Sequence, residues 1–142
     1  MNHLVHIDQD ENDLDKLKSG QKTMIITCGL CRQPSRDRIH IGDTILFAEK
    51  SGKKTCIRGN AKVQNVFVSG KLSREESFNL VESYNNRLML STAQKKRYKN
   101  RQYLVLVTIS NFIEVNTPIN LRLEPVGQNT WIPIKNIENL NQ

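Results

Sequence analysis

Long apolar runs are missing from this sequence of 142 residues. No stretch approaches the roughly 20 apolar residues that a membrane-spanning helix needs, and Met1 to His6 lack the basic-then-apolar pattern of a secretory signal. Cysteine is also scarce, because three cysteines cannot all pair and a reducing compartment would keep them as thiols. These absences argue against a helical membrane protein and a disulfide scaffold. They predict a soluble, cytoplasmic protein with no membrane partner.

Several signatures of function and architecture are missing as well. The spacing contains no Ser-His-Asp set, no phosphate-cradling glycine loop and no paired-carboxylate site, and we find no internal repeat or low-complexity segment. Hydrophobic residues make up only 37% of the chain, but they recur in patterned runs that argue against wholesale disorder. The length fits one domain, residues 1–142. We expect a core over about 4–115 and a proline-containing C-terminal extension over 116–142.

Acidic residues become sparse after the first fifteen positions. That acidic head contains no Lys or Arg and holds five of the fourteen acids: Asp8, Asp10, Glu11, Asp13 and Asp15. From Lys16 onward, 21 basic residues face the nine remaining acids, which leaves a net charge of +12. A body this basic indicates a polyanionic partner such as nucleic acid, although basicity can also serve solubility alone. A third interpretation is a protein-interaction adaptor whose acidic head covers its own basic face.

The densest basic run directly precedes the apolar segment 103–107. It holds five cations and a tyrosine within seven residues: Lys95, Lys96, Arg97, Tyr98, Lys99 and Arg101. Such a run can hold a nucleic-acid backbone while the tyrosine stacks on a base. The alternative is a solvated helix end whose lysines complement the helix dipole.

Hydrophobic periodicity and capping signals predict a mixed α and β chain. Ser73 and Glu76 form a capping-box pattern at the start of a helix, and Gly59 inside a strand run indicates a bulge or bend. We expect a polar loop over 32–38 and ordinary surface histidines. Strands are predicted over 4–7, 23–28, 44–48, 55–59, 61–68, 103–115 and 131–132, and helices over 10–18, from 73 to about 86, and over 88–97.

Three segments in this order resemble the ASCH domain of the PUA-like superfamily. They are Gly20-Gln21-Lys22-Thr23, then Ile41 to Phe47 with its Gly42-Asp43 turn, then Ala61 to Val66, and the resemblance covers roughly residues 4 to 115. It implies an α+β fold, a small PUA-like β-barrel of five to six strands with two or three flanking helices. It also implies an RNA- or nucleotide-binding protein with a basic cleft between the Gly20–Thr23 turn and the 73–86 helix.

Within that family, some small members are amidohydrolases that deacetylate N4-acetylcytidine nucleosides. The resemblance then implies Lys22, Thr23 and Glu82 as catalytic residues, with Glu76 as an alternative acid. A lysine whose pKa is lowered by partial burial can act as a base beside a hydroxyl nucleophile, although Lys22 and Thr23 can equally hold a phosphate or begin a strand. The sequence departs from that branch, because Ile25 replaces a second threonine and the segment 27–29 replaces an arginine.

Cys28 and Cys31 form a C-x-x-C pair. With Cys56 and His40 they could make a zinc site, but such sites usually show two spaced pairs and only one exists here. A redox pair should open a helix, whereas a polar loop follows. We therefore expect free thiols, no metal and no cofactor, while Trp131 is expected to pack in the core or to stack a base at the cleft rim. The sequence does not specify protein partners.

Overall fold

The computed structural model describes residues 2–28, 39–51, 54–119 and 131–134. Its strands are β1 (Asn2–Ile7), β2 (Met24–Cys28), β3 (Thr44–Ser51), β4 (Lys54–Val68), β5 (Leu104–Ile119) and β6 (Trp131–Ile134). Its helices are α1 (Asp13–Lys18), α2 (Arg74–Leu88) and α3 (Thr92–Tyr98), with a 3-10 turn over Gln9–Glu11 before α1. The predicted polar loop over 32–38 lies outside the described residues. None of the helices in the described ranges is long and apolar enough to cross a membrane.

The strands form one sheet in the order β2-β5-β4-β3-β1-β6. Neighbouring strands are antiparallel except β1 and β3, which run parallel with Leu4 opposite Leu46. The sheet curls into a half-barrel flanked by three helices, which confirms the predicted α+β fold of five to six strands with two or three flanking helices. Strand β6 pairs with β1, so part of the C-terminal extension forms an edge of the sheet.

Apolar residues cover both faces of the sheet at β2 and β5. On β5, Val105, Val107 and Ile109 point to one core, while Leu104 and Leu106 point to a second core. The second core also receives Val81 and Leu88 of α2. Because successive side chains of a strand point to opposite faces, a strand buried on both faces is continuously apolar. This explains why the run after the basic segment lacks an alternating pattern.

The bulge predicted at Gly59 is confirmed. The β4–β5 register shifts between Ile57 and Gly59, and the β3–β4 register shifts at the facing point of β3, between Phe47 and Ala48. A Cβ atom at Gly59 would lie 2.5 Å from the ring of Phe112, and that ring packs 5.8 Å from the ring of Phe47. The absent side chain therefore lets Phe112 close over the sheet.

We expect Gly59→Ala to lower the free energy of unfolding by about 1–3 kcal/mol, the usual cost of overpacking a core. The matched control is Gly70→Ala, because nothing lies within 4 Å of a Cβ atom at Gly70. Urea unfolding of both variants measures the difference. Equal stabilities for the two variants would show that the close approach of Phe112 is unimportant.

Two capping boxes set the starts of α2 and α3. At α2, the Glu76 side chain accepts from the Ser73 backbone N–H at 2.8 Å and the Ser73 hydroxyl accepts from the Glu76 N–H at 3.1 Å, as predicted. Ser91 and Gln94 form the same arrangement at α3. The helix predicted over 88–97 therefore begins later, at Thr92, because Met89 ends α2 in a left-handed conformation with φ of 54°.

The expectation that the histidines are ordinary surface residues is wrong for His3, which is fully buried. Its Nε2 lies 2.9 Å from Oδ2 of Asp43, which also accepts from the backbone N–H of His40 at 2.8 Å. Burial would raise the pKa of Asp43, but the hydrogen bonds from His3 and His40 outweigh it and hold that pKa below its usual value. The Gly42-Asp43 turn is thus tied to β1 by a buried polar contact.

Candidate nucleotide and nucleic-acid site

The Gly20–Thr23 turn is fixed by backbone hydrogen bonds from three elements. The Lys22 N–H donates to the Lys16 carbonyl of α1 at 3.0 Å, and the Thr23 N–H donates to the Arg87 carbonyl of α2 at 3.1 Å. The Thr23 carbonyl accepts from Ile109 of β5 at 3.0 Å. Gly20 has a φ of 80°, which suits glycine. The turn is therefore in direct contact with the C-terminal end of α2.

The Lys22 side chain is buried at this junction, with 6% of its surface exposed. Its Nζ donates to the Leu88 carbonyl at the end of α2, where the helix dipole favours a cation. Burial lowers the pKa of Lys22 from 10.5 to about 8, even though the charge of Asp13 acts in the opposite direction. Near neutral pH Lys22 is therefore mostly protonated, but its neutral fraction is far larger than that of an ordinary lysine, which is the property a proton-transferring lysine needs.

Two carboxylates of the acidic head share this junction with Lys22. Asp13 is 5% exposed, and its carboxylate accepts from the Asp8 backbone N–H at 3.0 Å and from Gln94 Nε2 at 3.2 Å. Oδ2 of Asp8 accepts from Gln94 Nε2 at 2.9 Å and from Arg97 Nη1 at 3.1 Å. We call these side chains, together with Lys22 and neighbouring Lys16, the Lys22 cluster: Asp8, Asp13, Lys16, Lys22, Gln94 and Arg97.

Glu82 lies outside the Lys22 cluster. It is on an exposed face of α2, and its carboxylate contacts Nζ of Lys95 at 3.2 Å and Nζ of Lys99 at 3.0 Å. Hydrogen bonds from Lys99 and then Lys95 hold the pKa of Glu82 below its usual value. The acids whose charges act on Lys22 are Asp13 and Asp8. The alternative acid, Glu76, is held in the capping box of α2.

The structure distributes the basic run of residues 95–101 over several environments. Lys95 and Lys99 pair with Glu82, and Arg97 pairs with Asp8. Nε of Arg101 donates to the Arg97 carbonyl at 3.0 Å. Lys96 is exposed and Thr23 is half-buried. Two carboxylates, those of Glu82 and Asp8, therefore pair with three of the five cations in the run.

Two aromatic residues near α2 differ in exposure. Tyr98 is half-buried and packs against the core beneath α2, and its stacking on a base stays a prediction. Phe78 is 45% exposed, and Nζ of Lys99 lies 3.9 Å above its ring. The buried side of α2 carries Ser77, whose hydroxyl donates to the Tyr98 carbonyl at 3.1 Å.

Sequence reasoning also missed an open groove of about 570 Å³ at the N-terminal end of α2. It is lined by Lys71, Leu72, Ser73, Arg74, Asn100 and Gln102. The sequence feature that could have indicated the groove is a pair of cations, Lys71 and Arg74, on either side of Ser73, the N-cap residue of α2. The contact between Asp13 and Gln94 of the Lys22 cluster was missed because the two residues are 81 positions apart and the capping box that contains Gln94 gives no sign of a contact with Asp13.

Cys28 and Cys56 are half-buried free thiols, while Cys31 lies outside the described residues. Within the described part of the chain, His, Cys, Asp and Glu side chains form no group of three or more that suits a metal ion. The side chain of Trp131 is also outside the described set, so its expected role stays a prediction.

Comparison with solved structures identifies the fold. The ASCH protein from Zymomonas mobilis matches at a TM-score of 0.55 and 16% identity, over 83% of this chain and 70% of that one. A point mutant of the same Zymomonas mobilis protein matches at a TM-score of 0.56 and 13% identity, over the same shares. The sequence matches no family model and no curated protein. The chain therefore has an ASCH-like fold, as its motifs predict.

Proposed function

We propose that this protein binds RNA or a nucleotide-like ligand through the Lys22 cluster and α3. The observation that carries the proposal is the convergence of Arg97 Nη1 and Gln94 Nε2 on one carboxylate oxygen of Asp8, at 3.1 and 2.9 Å. Such donors suit an anionic oxygen, and the buried Lys22 lies at the same junction. A phosphate or a base carbonyl of a ligand takes the place of the Asp8 carboxylate in this proposal.

The charge distribution supports the same partner. The chain from Lys16 onward has a net charge of +12, and neutralising phosphates with lysine and arginine releases counterions and favours binding. The acidic head supplies the carboxylate that occupies the donors of α3 in the absence of ligand. Asp8 thus competes with the ligand for these donors. In this proposal the basic body binds the ligand, and the acidic head covers part of the binding surface until the ligand displaces it.

Replacing Asp8 with alanine is expected to strengthen RNA binding about threefold, because it releases the Arg97 guanidinium from a partly exposed ion pair worth about 0.2–1 kcal/mol. The measurement is equilibrium binding of a short fluorescent single-stranded oligouridylate at low salt. Asp10→Ala is the matched control, since it removes an exposed acid from the same head. An equal effect of the two substitutions would assign the gain to net charge, and an unchanged affinity in both would refute competition by Asp8.

A second candidate function is amidohydrolysis of an N4-acetylcytidine-type nucleoside. The lowered pKa of Lys22, about 8, favours it, because at pH 7.5 roughly a quarter of such a lysine is neutral. The neutral amine would take a proton from the hydroxyl of Thr23 or from water as its oxygen attacks the acetyl carbonyl, and the ammonium would return a proton to the departing N4 amine. Attack by water releases acetate directly, whereas attack by Thr23 leaves an acetyl ester on Thr23 that water then hydrolyses to acetate. In this mechanism Asp13 is the carboxylate whose charge acts most strongly on Lys22, while Glu82 pairs with Lys95 and Lys99.

Incubation with N4-acetylcytidine, followed by chromatographic detection of cytidine, tests this second function. Turnover that is abolished in Lys22→Ala and retained in Lys18→Ala is the expected result. Absence of turnover in the wild-type protein, or equal turnover in Lys22→Ala, would reject the hydrolase and leave the binding function in place.

A further inference from the structure

We propose that the groove at the N-terminal end of α2 is a second contact site, which holds the phosphate backbone of single-stranded RNA. This inference rests on the proposed RNA-binding function and adds a surface that the Lys22 cluster does not include. Arg74 and Leu88 are the two ends of α2, and a helix of this length spans about 20 Å. The groove and Lys22 therefore lie at opposite ends of the same helix.

The lining of the groove has the chemistry that a phosphate needs. Lys71 and Arg74 supply two cations, Asn100 and Gln102 supply amide groups, and none of the described residues that line the groove is an acid. Arginine forms paired hydrogen bonds to phosphate oxygens, and lysine acts as a mobile point charge. With a volume of about 570 Å³, the groove is concave yet open, which suits a backbone that passes through it.

The cations of the groove differ from those of α3 in their ion pairing. Lys95 and Lys99 share the carboxylate of Glu82, and Arg97 pairs with Asp8. Across residues 2–28, 39–51 and 54–119, neither Lys71 nor Arg74 takes part in an ion pair. The carboxylate of nearby Glu76 is engaged by the Ser73 backbone N–H in the capping box. The groove thus brings together two cations that no carboxylate of the described residues pairs with.

The position of Arg74 gives an independent reason to assign it to a ligand. It is the first residue of α2, where the helix dipole disfavours a cation and favours an acid. The first turn also carries Glu75 and Glu76, which do suit the dipole. Helix stability therefore does not account for the cation at Arg74, whereas contact with a phosphate in the groove would.

Phe78 places an exposed aromatic ring on the side of α2 that carries Arg74, beyond the residues that line the groove. It lies four residues after Arg74 and is 45% exposed. Nζ of Lys99 stands 3.9 Å above that ring. An aromatic ring next to a cationic track is the arrangement that holds single-stranded nucleic acid without sequence preference, the bases stacking while the cations follow the backbone. Single-stranded RNA is therefore a better fit than a free phosphate.

The test is binding of a labelled single-stranded oligouridylate by the full chain over a range of salt concentrations. We expect Lys71→Ala/Arg74→Ala to weaken binding about tenfold at low salt and to reduce the slope of log K against log salt by about 1.4, because single strands contribute about 0.7 for each phosphate contact. The control, Lys18→Ala/Lys62→Ala, removes the same charge from two exposed lysines that do not line the groove. The control is expected to leave the slope nearly unchanged.

A second variant, Arg74→Glu, separates binding from folding. It is expected to raise the unfolding temperature slightly, because an acid suits the helix N-terminus, while it weakens RNA binding. If Arg74→Glu and the double alanine variant both bind RNA as tightly as the wild-type chain, the groove is not a contact site and the proposed function still stands. Absence of any RNA binding by the wild-type chain would overturn both.

Discussion

Lys22→Met is expected to change the pH dependence of stability by about 3 kcal/mol. Burial lowers the pKa of Lys22 in the folded protein to about 8 from 10.5. Between these two pH values the unfolded chain binds more protons than the folded chain, so the wild-type protein gains stability as the pH rises. Each pKa unit corresponds to about 1.4 kcal/mol, and methionine at this position removes the effect.

The measurement is urea unfolding of both proteins at several pH values from about 7 to about 11. The wild-type free energy of unfolding should rise relative to that of Lys22→Met over this interval and then level off. The control is Lys18→Met, which alters an exposed lysine of α1 that pairs with Glu114 at the surface. Its stability should run parallel to that of the wild-type protein. Parallel curves for Lys22→Met as well would contradict a buried lysine with a lowered pKa.

Asp13→Ala is expected to lower the free energy of unfolding by about 3 kcal/mol. The substitution removes a buried carboxylate and strips a partner from the Asp8 backbone N–H and from Gln94. Leaving buried donors and a nearby cation without an acceptor typically costs about 3–5 kcal/mol. Asp15→Ala is the matched control, because Asp15 lies on the same helix with an exposed side chain. Surface substitutions of that kind usually stay within about 0.5 kcal/mol.

Removal of the Asp13 charge also has an electrostatic readout. The charge of Asp13 raises the pKa of Lys22 and partly offsets burial, so its removal should lower that pKa further below about 8. An NMR titration of the Lys22 side chain in Asp13→Asn, which keeps the shape of the side chain, measures the shift. A pKa that does not move would show that Asp13 acts on the fold alone.

Features encoded by neighbouring residues could be predicted from the sequence. The capping box needs only Ser73 and Glu76, three positions apart, and the bulge is marked by Gly59 within a run of strand formers. The overall architecture could be predicted from the order of the three ASCH-like segments, because that order reflects the succession of turns and strands along the chain and does not depend on any single contact. Lys22 could be singled out because it lies in the first of these segments, Gly20 to Thr23.

Contacts between distant residues were beyond the sequence. His3 meets Asp43 across 40 positions, and Gln94 meets Asp13 across 81 positions. Glu82 has the helical spacing of a residue that faces the Gly20–Thr23 turn. In the structure it instead pairs at the surface with Lys95 of α3 and with Lys99, which directly follows α3. Nothing local indicates which acid a buried lysine will approach, because that choice depends on how α1, α2 and α3 pack together.

The central claim, binding of RNA, is tested most directly by titrating the wild-type chain with a labelled single-stranded oligouridylate at several salt concentrations. We predict measurable binding at low salt and a logarithmic affinity that falls linearly with the logarithm of salt concentration. Three or more phosphate contacts would give a slope of about −2 or steeper. Absence of binding at low salt, or an affinity that does not respond to salt, would contradict the proposed function.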